Sequence, residues 1–122
     1  MMTDSMYPQP DPEIARRRRE LAPEALAAFR AFSSSVFADG ALPAKTKQLI
    51  AVAVAHVTQC PYCIRGHTKE ALKAGALENE IMEAIWVAAE MRAGAAYAHS
   101  TLALDVMMKE GNSSEAQHGE HH

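Results

Sequence analysis

From Leu49 to Val57 the chain is apolar on nearly every side, interrupted only by His56, and its Val and Ile residues follow a helical rather than an alternating pattern. A helix of that kind must be covered on most of its faces, so it belongs at the centre of a domain or at an interface between subunits. It leads directly into Cys60-Pro61-Tyr62-Cys63. Pro61 suits the first turn of a new helix, where its missing N–H is no loss, which puts Cys60 near the cap and Cys63 in the first turn. The unpaired N–H groups at that end favour a thiolate over a thiol. His67 follows Cys63 by four residues, hence on the same helix face and within reach of its proton. The stretch from Thr58 to Glu70 therefore reads as a thiol redox site.

The remaining chain carries helix signals and no alternating apolar run bounded by turns, which predicts an all-α fold of about six helices. Residues 1–10, with Pro8 and Pro10, read as an irregular arm. Asp11-Pro12-Glu13 supplies the cap, proline and acid of a helix start, and that helix should stop before Pro23. A second spans Pro23 to Phe37, with Leu26, Phe29, Ser33, Val36 and Phe37 on one face, before Asp39-Gly40 turns the chain. The third begins near Pro43, and the cysteine helix runs from Pro61 to about Ala74 with Gly75 as a left-handed cap. Glu78-Asn79-Glu80 opens another helix that turns Ile81, Ile85, Ala88 and Ala89 inward. Gly94 is expected to break it before a last helix to about Lys109, on which His99, Leu102 and Val106 share a face. Gly111 to His122 has no apolar anchor and is expected to be disordered, leaving residues 11–110 as the domain.

A chain of 122 residues, 48% hydrophobic and 22% charged, suits one globular domain and leaves no room for a second. The formal charge of −3 speaks against a nucleic-acid partner, and the one basic run, Arg16 to Arg19, is confined to a short N-terminal helix. No apolar stretch approaches a membrane span and the first residues lack a signal core, so no membrane partner and a cytoplasmic location are expected. In that reducing compartment a C-x-x-C pair points to catalysis or metal binding rather than to a structural staple.

Taken in order, four segments resemble the AhpD-like, carboxymuconolactone-decarboxylase-like superfamily, specifically its small CxxC-bearing alkylhydroperoxidase-like members. They are Lys45-Thr46-Lys47-Gln48-Leu49-Ile50-Ala51, Cys60-x-x-Cys63-x-x-x-His67-Thr68, Ala74-Gly75-Ala76 and Met91-Arg92-Ala93-Gly94-Ala95-Ala96-Tyr97, within residues 42–104. The resemblance implies an all-helical fold assembling as a homotrimer or homohexamer, and peroxide reduction through a cysteine pair with no bound cofactor and no metal. Carried across residue by residue, Cys63 is the peroxidatic nucleophile, Cys60 the resolving thiol and His67 the base of a proton relay. An external dithiol on a partner protein, a lipoyl group in the better-known relatives, would reset the pair. Gln48 stands where the family relay usually has a glutamate, twelve residues before the first cysteine, and an amide cannot take up a proton at neutral pH. Tyr62 replaces a histidine that the best-known peroxidase has beside its second cysteine; a phenol is a poor base.

Other classes stay open beside the peroxidase. A thiol-disulfide oxidoreductase or redox sensor needs the pair to cycle without fast reaction with peroxide. A metal site could draw on His56, Cys60, Cys63 and His67, although ligands in one continuous helical stretch do not readily surround an ion. Decarboxylase relatives share the fold but lack the cysteine pair. His56 is most simply a helix histidine bonded to a nearby carbonyl, with a relay role as the alternative, and Trp86 fits close helix packing within or between subunits.

Overall fold

The computed structural model describes the backbone of residues 6–117 and the side chains of residues 6–112; these residues form helices joined by short turns, with no strand among them. In chain order the helices are α1 (Pro12–Leu21), α2 (Pro23–Phe37), α3 (Ala44–Thr58), α4 (Pro61–Lys73) and α5 (Glu78–Gln117). Proline opens α1, α2 and α4, as its fixed φ favours. The Asp11 carboxylate caps α1 by accepting from the Glu13 N–H at 2.9 Å. Residues 6–11 carry no helix, and residues 1–5 lie outside the described residues.

Helix α3 is the centre, with α4 and α5 packed against it. Val52 is wholly buried, surrounded by Ala71 of α4, Ala76 of the following turn and Ile81 of α5, with Leu49 and Ile85 against the cluster. Alanine at two of these positions lets the helices approach closely. Lys45 joins α3 to α5 through Glu80 at 3.0 Å. The Leu77 N–H donates to the same Glu80 at 2.8 Å. That backbone bond first, and Lys45 second, hold the Glu80 carboxyl below its ordinary range.

One expected turn behaves as read and one break does not occur. Gly75 ends α4 at φ +96, with the Ala76 N–H donating to the Ala71 carbonyl at 2.9 Å, which is the left-handed cap. Gly94 does not interrupt α5: the two expected pieces are one helix. A glycine inside a helix costs only about 1 kcal/mol relative to alanine, too little to end a helix among alanine, methionine and leucine. The same helix runs past Lys109 to Gln117, so the first part of the expected tail continues it, and residues 118–122 lie outside the described residues.

The centrality of α3 is only partly realised within one chain. Gln48, Val52 and Ala55 are buried, yet Ile50 and Val54 are about half exposed. Helix α2 has no buried residue, and Phe29, Phe32 and Trp86 are more exposed than covered. Among the described residues no helix is long and apolar enough to cross a membrane.

Candidate active site

Two residues, Gln59 and Cys60, carry the chain from α3 to α4, and they do it by a left-handed step. Gln59 caps α3 at φ 61 and ψ 44, its N–H and that of Cys60 both donating to the Ala55 carbonyl at 2.9 and 3.2 Å. Left-handed backbone is unfavourable for a residue with a Cβ. Arg92 of α5 steadies this end of α3 by donating to the Val57 carbonyl at 2.8 Å.

Cys60 is the N-cap of α4, and its sulfur accepts the Cys63 N–H at 3.3 Å. Both cysteines are free thiols and half-buried. The Cys63 thiol and backbone N–H both donate to the Cys60 sulfur, which sets the Cys60 pKa below the ordinary thiol range. The same bond, joined by burial and by repulsion from Cys60, pushes Cys63 up. The downward shift thus falls on the cap residue Cys60 and the upward one on Cys63 in the first turn.

Cys63 and His67 line one apolar cavity of about 440 Å³ between α2, α3 and the start of α4, together with Val36, Phe37, Ile50 and Val54. The His67 ring stacks on Phe37 with centroids 5.2 Å apart and planes inclined by 26°. From beneath, the Nδ1 of His67 lies 2.8 Å from Oε1 of the buried Gln48. With an amide oxygen as its partner, Nδ1 carries the hydrogen of the neutral ring, leaving Nε2 as the nitrogen that accepts a proton. Lys47 also reaches the cavity, its ammonium donating to the Val36 and Ala38 carbonyls at 2.8 and 2.7 Å and so tying down the end of α2 that carries Phe37.

Gln48, Cys63 and His67 are therefore brought together from α3 and α4, with Cys60 on Cys63. His56 is not among them: its Nδ1 bonds the Val52 carbonyl at 2.7 Å on its own helix. Among the described residues no three His, Cys, Asp or Glu side chains converge so as to hold a metal ion. His99 is exposed on α5 and does not line the cavity. Phe37, Lys47, Gln59 and Arg92 were not singled out from the sequence as site residues. Phe37 and Lys47 were visible only as part of an apolar face and of a motif, and the left-handed step at Gln59 carries no glycine to announce it.

The profile of the carboxymuconolactone decarboxylase family matches residues 23–105, which contain every one of these groups. The chain belongs to that family. An uncharacterised protein of the cox locus in Paracoccus denitrificans is 71% identical over 80 residues, covering 66% of this chain and 72% of its own length. A solved structure from Methanobacterium thermoautotrophicum is 40% identical with a TM-score of 0.64, over 68% of this chain and 93% of that one. A carboxymuconolactone decarboxylase family protein of Legionella pneumophila is 35% identical with a TM-score of 0.62, over 65% of this chain and 70% of that one. One from Thermotoga maritima, for which a part in an antioxidative response has been suggested, is 26% identical with a TM-score of 0.53, over 75% and 95%. This member of the carboxymuconolactone decarboxylase family has the CxxC pair on the all-helical AhpD-like fold.

Proposed function

We propose that the protein is a cofactor-independent thiol peroxidase that reduces organic or hydrogen peroxide through a Cys60–Cys63 dithiol/disulfide cycle. One observation carries the reading: Cys63 and a base, His67, face the same apolar cavity while the cap residue Cys60, its pKa lowered by bonds from Cys63, stands next to Cys63. His67 takes the Cys63 proton, and the resulting thiolate attacks one peroxide oxygen. The O–O bond breaks, Cys63 becomes a sulfenic acid, and the alkoxide leaves as an alcohol with the proton from His67. Cys60 then attacks the Cys63 sulfur as its thiolate, forming the disulfide and expelling hydroxide, which takes up the proton that Cys60 gave up and leaves as water. A dithiol on another protein, such as a lipoyl group, restores both thiols.

A second reading has its own observation. The downward pKa shift falls on Cys60, not on the Cys63 that meets the cavity, and Gln48 cannot store a proton for His67. Both facts suit a thiol-disulfide oxidoreductase or redox sensor with weak peroxidase activity. The deciding experiment is the rate at which fully reduced protein consumes cumene hydroperoxide and hydrogen peroxide, with mass spectrometry of the product and Cys63→Ser as control. Rapid consumption ending in a Cys60–Cys63 disulfide supports the peroxidase. Negligible consumption, with the pair still oxidised readily by lipoamide, supports the exchange protein.

Assembly belongs to the proposal. Phe29 and Phe32 on α2 and Trp86 and Met91 on α5 are each more than three-fifths exposed, more large apolar surface than a lone soluble chain usually presents. A homotrimer or homohexamer would cover it; sedimentation equilibrium giving a monomer sinks this part.

A further inference from the structure

The cavity serves one side of the dithiol, and the other side has different chemistry. Tyr62, the residue ahead of Cys63, is 45% exposed and meets Tyr7 of the N-terminal arm edge-on at 6.0 Å. Between arm and helix runs a groove of about 480 Å³, lined in part by Gln9, Pro10, Arg65, Gly66 and Lys69. An adjoining hollow shares Tyr62 and brings in Arg18 of α1. Arg18, Arg65 and Lys69 are exposed, and among the described residues none of them is in an ion pair. Among the described residues the one carboxylate lining the two hollows, Asp11, is occupied in capping α1.

This local charge belongs to a larger asymmetry. Residues 12–73 hold ten Lys and Arg against five Asp and Glu, whereas α5 holds two against seven. The segment that bears the cysteines is therefore net cationic although the whole chain is acidic. Gly66 adds an independent sign. It sits inside α4 at a cost of about 1 kcal/mol relative to alanine. A Cβ built on it meets nothing within 4 Å, so no contact inside the chain asks for a glycine there. Its bare backbone leaves a notch beside Arg65 and Lys69, suited to close approach from outside.

We propose that this groove docks an acidic protein carrying the reducing dithiol, a proposal that rests on the dithiol cycle above. Acidic side chains of the partner meet Arg18, Arg65 and Lys69, and its apolar tip sits on Tyr62 beside the disulfide. One partner thiolate attacks the Cys60 sulfur; the Cys60–Cys63 bond breaks and Cys63 leaves, to be protonated by His67. The second partner thiolate attacks its own sulfur in the mixed disulfide and releases Cys60. Two electrons and two protons pass to this protein, and the partner departs as a disulfide.

The test follows reduction of the oxidised protein by free dihydrolipoamide, which is uncharged and needs no docking surface, and by a dihydrolipoyl group on an acidic carrier domain. Arg65→Glu with Lys69→Glu is expected to slow the carrier by about tenfold or more while changing the free dithiol by less than about twofold. Raising ionic strength from about 0.05 to about 0.5 M should slow only the carrier. Gly66→Gln, which fills the notch while favouring helix, should also slow only the carrier. Equal effects on both reductants, or none on the carrier, overturn the proposal, as does a change of subunit number in Gly66→Gln, which would assign the groove to a contact between copies. Failure of free dihydrolipoamide to reduce the protein sinks the dithiol cycle instead. Docking is then decided by calorimetry of the carrier with the Cys60→Ser, Cys63→Ser protein: salt-sensitive binding lost in the charge-reversed variant supports it, and no binding overturns it.

Discussion

The buried amide of Gln48 reaches from α3 to the His67 ring of α4, Oε1 to Nδ1 2.8 Å, across nineteen positions of sequence. This bond fixes which ring nitrogen is the base, but an amide cannot draw the Nδ1 proton as a carboxylate would. Gln48→Glu is expected to raise the second-order rate with hydrogen peroxide by about tenfold, a fraction of what a well-placed general base supplies. Gln48→Leu, which leaves Nδ1 without its partner, should lower that rate and cost about 1–3 kcal/mol in denaturant unfolding. Unchanged peroxide rates in both variants would remove Gln48 from the proton path.

The two cysteines should titrate apart. Bonds from Cys63 hold the Cys60 pKa down, and the same bond with burial raises Cys63. A thiolate with a depressed pKa persists to lower pH and is lost only as pH falls through that value. Iodoacetamide should therefore label Cys60 first as pH rises from acid, with Cys63 following only above the ordinary thiol range. Cys63→Ala removes the thiol donor, and its Cys60 labelling curve should move toward higher pH. If Cys63 is labelled first, the thiolate is on the wrong residue in this account.

Much of this arrangement is legible in the sequence. Prolines and caps marked the starts of α1, α2 and α4 because their chemistry is local: Pro12, Pro23 and Pro61 each fix a φ that only the first turn welcomes. The Cys63–His67 spacing likewise translates directly into a shared helix face. Gly94 misled because a single glycine weakens a helix without ending it, and the outcome depends on the summed propensity of its neighbours. The stack of Phe37 on His67 depends on how α2 returns over α3, a tertiary fact that local pattern does not encode. Nor does pattern tell which cysteine is the more acidic: that follows from the bonds that Cys63 donates to Cys60, not from both lying near one helix end.

The left-handed step at Gln59 stores a cost that one substitution should relieve. A residue with a Cβ at φ 61 is disfavoured by about 1–2 kcal/mol, part of which glycine returns through its greater freedom when unfolded. Gln59→Gly is expected to stabilise the protein by about 0.5–1 kcal/mol and to leave peroxide consumption unchanged. A loss of stability would show that the Gln59 side chain contributes more than its backbone costs.

The core is small enough for one side chain to matter. Val52 is wholly buried between α4 and α5, and Val52→Ala removes two methyl groups from the centre of the cluster. At roughly 0.8 kcal/mol for each buried carbon, with a further cost for the space left, about 2 kcal/mol is expected. Chemical denaturation at fixed protein concentration measures it, since any assembly makes apparent stability concentration-dependent. A change below about 0.5 kcal/mol would mean that contacts between copies, not this cluster, hold the fold.

Phe37 has two duties that kinetics can separate. It stacks on His67 and it forms part of the apolar wall of the cavity. If the wall binds the organic part of a hydroperoxide, Phe37→Ala removes contact that cumene hydroperoxide uses and hydrogen peroxide cannot. The lost burial, about 1–1.5 kcal/mol for part of one ring, corresponds to roughly tenfold in kcat/KM for the organic substrate. If Phe37 only orients the imidazole, both substrates should slow by the same factor, because each needs the same proton removed from Cys63. A selective loss for cumene hydroperoxide, seen chiefly in KM, would thus identify the cavity as the place where an organic peroxide is held. An equal loss in kcat for both would limit Phe37 to positioning His67 and leave the cavity without a shown occupant.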